Sequence, residues 1–392
     1  MDFPAIQTFH TSKEANIIAK AIIEANTLTQ GKYLKEFEDN FKKYIGVKYA
    51  FGLNSATSAL EVAALLSKCG PGDEVLLPAH TFTATALPFL RCNAKLVFVD
   101  IDPYTFNMDL DDLESKLTPN SKVVIPVHLY GLPVDMHSLL EIANKHNLFV
   151  IEDCAQAVGA KIGNKYVGSF GDISCFSFHG QKNITTLGEG GMIMTNNSKF
   201  AKLIPSLIKI GYSPFKNQTK YWKPAMSNII ESIPGKLPSN YKMAEINALA
   251  GNLILSRYNK ILAEREKNFN FIINELKDYK ELRFQKLNEN FKSAYHLIPA
   301  FFDGRKFNKN NDNLINDLYE KHKIKCVVQY YPLYKYELFI NNGYNIKNSN
   351  CPNTEFFFDN MISFPFKSEM SNKELEYLIS SIKNVLDSYR NS

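Results

Sequence analysis

Strands alternating with helices from Tyr49 to Thr195 predict an α/β protein built on a mostly parallel sheet covered on both faces. Two further observations shape that prediction. The apolar runs are short and nearly continuous, as in strands buried on both sides. From about residue 265 the pattern changes to short strands set between helices, which predicts a smaller α+β unit. We therefore expect a large domain over residues 1–255 and a small C-terminal domain over 256–392.

At 392 residues the chain is long enough for two domains and a large core. Its 45% hydrophobic and 22% charged content is that of a soluble globular protein. A net charge of +5, with no Lys/Arg cluster interleaved with aromatics, argues against nucleic acid or a membrane surface as partner. The first residues lack a basic segment followed by an apolar stretch, and no apolar run approaches the ~20 residues that span a bilayer. The expected location is cytoplasmic. Six scattered cysteines with no C-x-x-C pair fit reduced thiols, and no metal site is expected.

Residues 12–26 and 33–45 carry helical spacing, with Phe37, Phe41, Tyr44 and Ile45 at steps of three and four. YAFGLNSATSALEVAALLSKCG then reads as a strand, a polar turn and a helix beginning near Ala56. Asn54, Ser55, Thr57 and Ser58 crowd that helix start. N-capping accounts for one or two of them, and the remainder mark a candidate anion site. After the turn Pro71-Gly72-Asp73 come strand, loop, helix and strand, with Phe82 in the loop. Phe82 is either a core plug or a flat face for an aromatic ligand.

A helix from Asp109, the run KVVIPVHLYG, a helix over 135–146 and the strand in LFVIEDCAQAVGA continue the alternation. Ligands on such sheets gather beyond the carboxyl ends of the strands. Asp153 stands at one of those ends, whereas Glu152 points to the opposite face, so the two carboxylates are not a catalytic pair. Asp153 is either a helix cap or the partner of a protonated ring nitrogen, with Gln156 close to it.

Gly171 to Thr195, GDISCFSFHGQKNITTLGEGGMIMT, places one lysine, Lys182, in a glycine-closed turn between two apolar strands. It is either an exposed loop lysine or a desolvated amine of lowered pKa, suited to form a Schiff base. Residues 205–239 show little periodicity and predict a long excursion. Ile246, Leu249, Leu253, Ile261 and Leu262 then form a helical stripe. AYHLIPAFF and CVVQYYPL read as short strands, with helices near 310–322 and 372–389.

Taken in order, LTQGKYLKEFEDNFKKYIGVKYA, NSATSAL, PGDEVLLPAHTFTATA, VFVDID, VHLYG, IEDCAQAVGA, FSFHGQKNITTLGEGGM, SNYKMAEINA and ISFPF resemble the DegT/DnrJ/EryC1/StrS sugar aminotransferases. The resemblance implies a fold-type I transferase that uses pyridoxal 5'-phosphate, passes through a pyridoxamine form and works as a homodimer with shared active sites. It implies that Lys182 carries the cofactor and moves the proton, that Asp153 pairs with the ring nitrogen, that Gln156 bonds the ring hydroxyl and that Phe82 stacks on the ring. Ala56, Thr57 and Ser177 would hold the phosphate, and Asn240 would reach the phosphate of the partner subunit. Lys182 also separates the chain from the dehydratases of the family, which carry His there.

His179, Lys242, Gln329 and Tyr334 are the candidate substrate contacts. Lys242 stands where many members have Arg, and Gln329 and Tyr334 stand where many have His. The implied reaction takes an amino group from L-glutamate to a nucleotide-linked 3- or 4-keto-6-deoxyhexose. Gln329 and Tyr334 leave open a small keto-phosphate or a keto-cyclitol as acceptor. A non-catalytic cofactor-binding sensor would need Lys182 or Asp153 degraded, and both stand intact.

Overall fold

The computed structural model describes residues 10–213, 215 and 228–391. Seven strands form the central sheet: β1 (Tyr49–Leu53), β2 (Glu74–Pro78), β3 (Lys95–Val99), β4 (Ser121–Val124), β5 (Phe149–Asp153), β6 (Ile173–Ser177) and β7 (Gly191–Thr195). Their order is β1-β7-β6-β5-β4-β2-β3. Only β7 runs against its neighbours, pairing antiparallel with β1 and β6. The remaining pairs are parallel, so the carboxyl ends of β2, β4, β5 and β6 come out at one edge. Every residue of β2, β6 and β7 is buried, which is why these runs are apolar without alternation.

The helices that cover this sheet end where their sequence says they should. Asp109 and Asp135 cap Leu110–Ser115 and Met136–Lys145 by accepting N–H bonds of the first turn. Gly46, at φ 84, ends Lys32–Ile45. The start of that last helix has Gly31 at its cap and no side chain of its own to offer. Glu245 supplies the acceptor instead, taking the N–H groups of Gly31 (2.6 Å), Tyr33 (2.8 Å) and Leu34 (3.2 Å). Phe37 and Phe41 from its apolar stripe meet Phe178 and Phe176 at ring distances of 5.1 Å. That packing fixes the strand leading into the lysine loop.

A second sheet contains β8 (Leu282–Phe284), β9 (Ile298–Phe302) and β10 (Met361–Phe364), all antiparallel and in that spatial order. Helices Tyr258–Leu276, Asn311–His322 and Asn372–Arg390 share its apolar core. Three sequence expectations change here. The long helical stripe is two helices, Glu245–Ser256 and Tyr258–Leu276, meeting at Arg257. CVVQYYPL forms no strand, and Val327 makes a single bridge to Ser363. The excursion over 205–239 begins with the end of helix Ser198–Leu207 and contains a short pairing of Tyr212–Ser213 with Asn228–Ile229. Trp222, in the middle of that excursion, lies outside the described residues.

Candidate active site

Beyond the carboxyl ends of β2, β5 and β6 lies a cleft of about 400 Å³. It gathers Ala56, Thr57, Phe82, Asp153, Gln156, Ser177, His179, Lys182 and Gln329, residues drawn from five separate stretches of sequence. The loop between β6 and β7 carries the lysine. Backbone bonds from Phe178 N–H to Gly190 O, Gly180 N–H to Gly188 O and Thr186 N–H to Phe178 O hold it shut at 2.8 to 3.0 Å. Leu187 at φ 64 and Gly188 at φ 119 turn the chain back toward β7. Behind the loop, buried Asn183 donates to Ala294 O (2.8 Å) and accepts from His296 Nδ1 (3.0 Å). The loop is therefore a fixed platform.

Lys182 is pushed down to about 8 by burial, with the Asp153 carboxylate opposing that fall. A usable fraction of neutral amine is present near neutral pH. Asp153, the last residue of β5, accepts from Thr85 Oγ1 (2.9 Å) and from the N–H of Ala155 (3.0 Å). Burial raises its pKa, and those two donors and Lys182 oppose the rise. Glu152 faces the other side of the sheet, where it takes the N–H groups of Gly168, Phe170 and Gly171 at 2.7 to 2.8 Å. The two adjacent carboxylates thus do unrelated work, as alternation along a strand requires.

Gln156 is oriented from behind. The backbone N–H of Tyr130 donates to its Oε1 (2.6 Å), which turns the amide nitrogen toward the cleft. That nitrogen gives one hydrogen to Tyr330 Oη (2.7 Å) and keeps a second. Phe82 is 57% exposed and lines the cleft, so it is no core plug.

The four polar residues at the start of helix Ala56–Ser67 divide their work. Ser55 caps by accepting from Ser58 N–H (3.1 Å), and Ser58 Oγ donates to Asn54 Oδ1 (2.5 Å). Thr57 lines the cleft beside Ala56. The first residue of β7 crosses this helix start so closely that a Cβ on Gly191 would sit 2.3 Å from Ser55 O and 2.5 Å from Ala56 N. Gly191→Ala should therefore displace the helix start. We expect a loss of roughly 1–3 kcal/mol in urea unfolding and weaker binding of phosphate-bearing ligands, read by titration of the purified variant.

A cleft with a desolvated lysine, a buried carboxylate, a helix start and an exposed aromatic face can hold a phosphorylated heteroaromatic aldehyde. Residues 10–383 match the model of the DegT/DnrJ/EryC1/StrS aminotransferase family. The chain belongs to this family. It is 35% identical to a GDP-perosamine synthase of Escherichia coli O157:H7 over 286 residues, 71% of this chain and 74% of that one. A UDP-N-acetyl-3-dehydro-alpha-D-glucosamine 3-aminotransferase of Acidithiobacillus ferrooxidans shares 48% identity over 162 residues, 41% of this chain and 44% of that one. The putative sugar aminotransferase Spr1654 of Streptococcus pneumoniae in its PMP form superposes with a TM-score of 0.89 at 27% identity, covering 100% of this chain and 99% of that one. The architecture is that of the fold-type I transferases.

This aminotransferase uses pyridoxal 5'-phosphate, as its family does. Its cleft fits that group on its own chemistry. The second hydrogen of the Gln156 amide and the buried Oε1 of Gln329 have no partner within the described residues. Three expected site residues lie elsewhere. Tyr334 is no substrate contact: it is 1% exposed, its hydroxyl donates to Glu355 Oε1 (2.6 Å), and its ring packs on Phe98 at 5.6 Å. Asn240 sits in a bridge with Lys209, and Lys242 in a bridge with Leu53. Lys242 lines a separate hollow with Lys35, Glu38 and Lys209.

Sequence reasoning missed Thr85 and Tyr330. Thr85 is one of several threonines in HTFTATA, and only the sheet order, which sets the ends of β2 and β5 on either side of β4, singles it out. Tyr330 arrives from far along the chain, beside Gln329. Among the described residues, no helix is long and apolar enough to cross a membrane.

Proposed function

We propose that this aminotransferase moves the amino group of L-glutamate to the ketone carbon of a nucleotide-linked 3- or 4-keto-6-deoxyhexose, as a homodimer with shared active sites. The observation that carries the reading is Lys182, its pKa lowered by burial, lining one cleft together with buried Asp153 and the helix start at Ala56 and Thr57. Relatives named for GDP-perosamine and for a UDP-linked 3-dehydro-glucosamine support a nucleotide-linked sugar as acceptor.

When bound, pyridoxal 5'-phosphate supplies the aldehyde that takes up the amino group and a ring that withdraws electrons from the reacting carbon. Lys182 would carry it and, once displaced, take a proton from the donor's α-carbon and return one to the cofactor side. Asp153, whose carboxylate accepts from Thr85 and Ala155, would pair with a protonated ring nitrogen, whose charge favours the anion. Ala56 and Thr57, with Ser177, would anchor the phosphate at the helix start. Gln156 would spend its free N–H on the ring hydroxyl, and Phe82 would cover one ring face. His179 and Gln329 line the cleft and would meet the sugar. Asn240 and Lys242 lie outside their own chain's cleft, and we assign them to the cleft of the partner subunit.

The test separates donor from acceptor. Incubating the enzyme with L-glutamate should shift the cofactor's absorbance to that of the amine form, and nucleotide-linked keto-hexoses should then restore it. A panel in which only a small phosphorylated ketone or a keto-cyclitol restores the absorbance would overturn the acceptor class.

A further inference from the structure

Tyr130 lies in the loop after β4, fully buried, with φ 60 and ψ 6. A bulky side chain in the left-handed region is unfavourable and persists only where its surroundings over-determine it. Here both ends of the residue are engaged. Its backbone N–H sets the direction of the Gln156 amide (2.6 Å). Its phenolic O–H donates to the backbone carbonyl of Gln329. Since a phenol has one hydrogen, the contact between its oxygen and His80 Nε2 (2.7 Å) is donated by the imidazole. Burial pushes His80 down to about 3, so that ring is neutral and carries a single N–H.

The bonds close a circuit. Tyr130 holds Gln156, Gln156 donates to Tyr330 Oη (2.7 Å), and the residue before Tyr330 is held by Tyr130 again. Three segments of the chain meet in this ring, and Gln156, Gln329 and Tyr330 of it line the cleft. No other described side chain bonds to both the Gln156 amide and the 329–330 backbone.

We propose that Tyr130 is a positioning residue that locks residues 329–330 against Gln156, so that acceptor-side contacts are set in register with the cofactor side. The inference rests on the reading of the cleft given above. Removing the phenolic oxygen leaves the Gln329 carbonyl buried without a donor, and the segment should loosen toward the cleft. The N–H bond to Gln156 stays, so the glutamate half of the reaction should be spared.

Tyr130→Phe tests this directly. In cofactor-free protein, amide hydrogen exchange over residues 326–332 should quicken about fivefold or more while the helices keep their protection. In the loaded enzyme the KM for the ketone should rise about tenfold, the loss expected for an orphaned buried carbonyl, with the glutamate half-reaction within about twofold of wild type. His80→Leu, which removes the donor to the phenolic oxygen together with a ring packed on Tyr330 and Phe357, should quicken exchange over the same segment. Unchanged exchange together with unchanged ketone KM overturns the proposal. Equal losses in both half-reactions, with a general fall in Tm, overturn it too, because they mark a residue that merely supports the fold. Borohydride reduction of wild-type enzyme, fixing the cofactor to the peptide that contains Lys182, tests the reading of the cleft independently of Tyr130.

Discussion

Lys182→Ala should lower turnover by at least roughly 10³-fold while leaving the chain folded, because proton transfer by a positioned amine is worth about that much. The fold should survive because the loop does not depend on the amine. Its backbone is held by Phe178, Gly180 and Thr186, and by buried Asn183 against Ala294 and His296. Single-turnover reaction with glutamate is the decisive measurement, and a variant that still converts its cofactor at the wild-type rate would sink the mechanism. The same substitution carries a second signature in cofactor-free protein. Wild-type Lys182 loses its proton near 8 in the folded state and at its ordinary value of 10.5 when unfolded. Between those values the unfolded chain binds more protons, so stability should rise with pH across the window. Lys182→Ala should flatten that rise, measured as urea midpoints from pH 7.5 to 10.5.

Much of this cleft was legible before any coordinates, and the reasons are local. Lys182 announces itself as the one lysine in a glycine-closed turn between apolar strands. Asp153 follows from alternation, since a strand buried on both faces can present only one of two adjacent carboxylates to a given side. Asp109 and Asp135 mark helix starts through capping chemistry that needs no tertiary information. What escaped depends on topology. Thr85 bonds Asp153 only because β4 alone separates β2 from β5 in the sheet, while the two residues are 68 positions apart in sequence.

Position in a motif also misled. Tyr334 sits three residues beyond Pro-flanked Tyr331, where a family pattern puts a substrate contact, yet its hydroxyl is spent on Glu355 and its ring on Phe98. The run CVVQYYPL looked like a strand for its apolar content. Its residues instead pass along the cleft wall, where Gln329 and Tyr330 give their polar atoms to the site and Val327 alone pairs with β10.

Asp153→Asn is the sharper test of electrostatics, since it removes a charge and almost no volume. The amide can still accept from one of the two donors, Thr85 Oγ1 or Ala155 N–H, and the Thr85 hydroxyl can rotate to accept from the new nitrogen. We therefore expect a folded protein that still binds the cofactor through the helix start at Ala56. Its rate should fall roughly 10²- to 10³-fold, the cost of losing a preorganised charge beside the reacting ring. The lysine should report the change as well. Asp153 is the group that holds Lys182 up against burial, so without it the amine should titrate below about 8. In cofactor-free protein the pH profile of Lys182 acylation should then move to lower pH in Asp153→Asn and stay in place in Glu152→Gln, whose carboxylate faces the opposite side of the sheet. A profile unmoved by Asp153→Asn, with the rate intact, would mean that this carboxylate only holds the turn that follows β5.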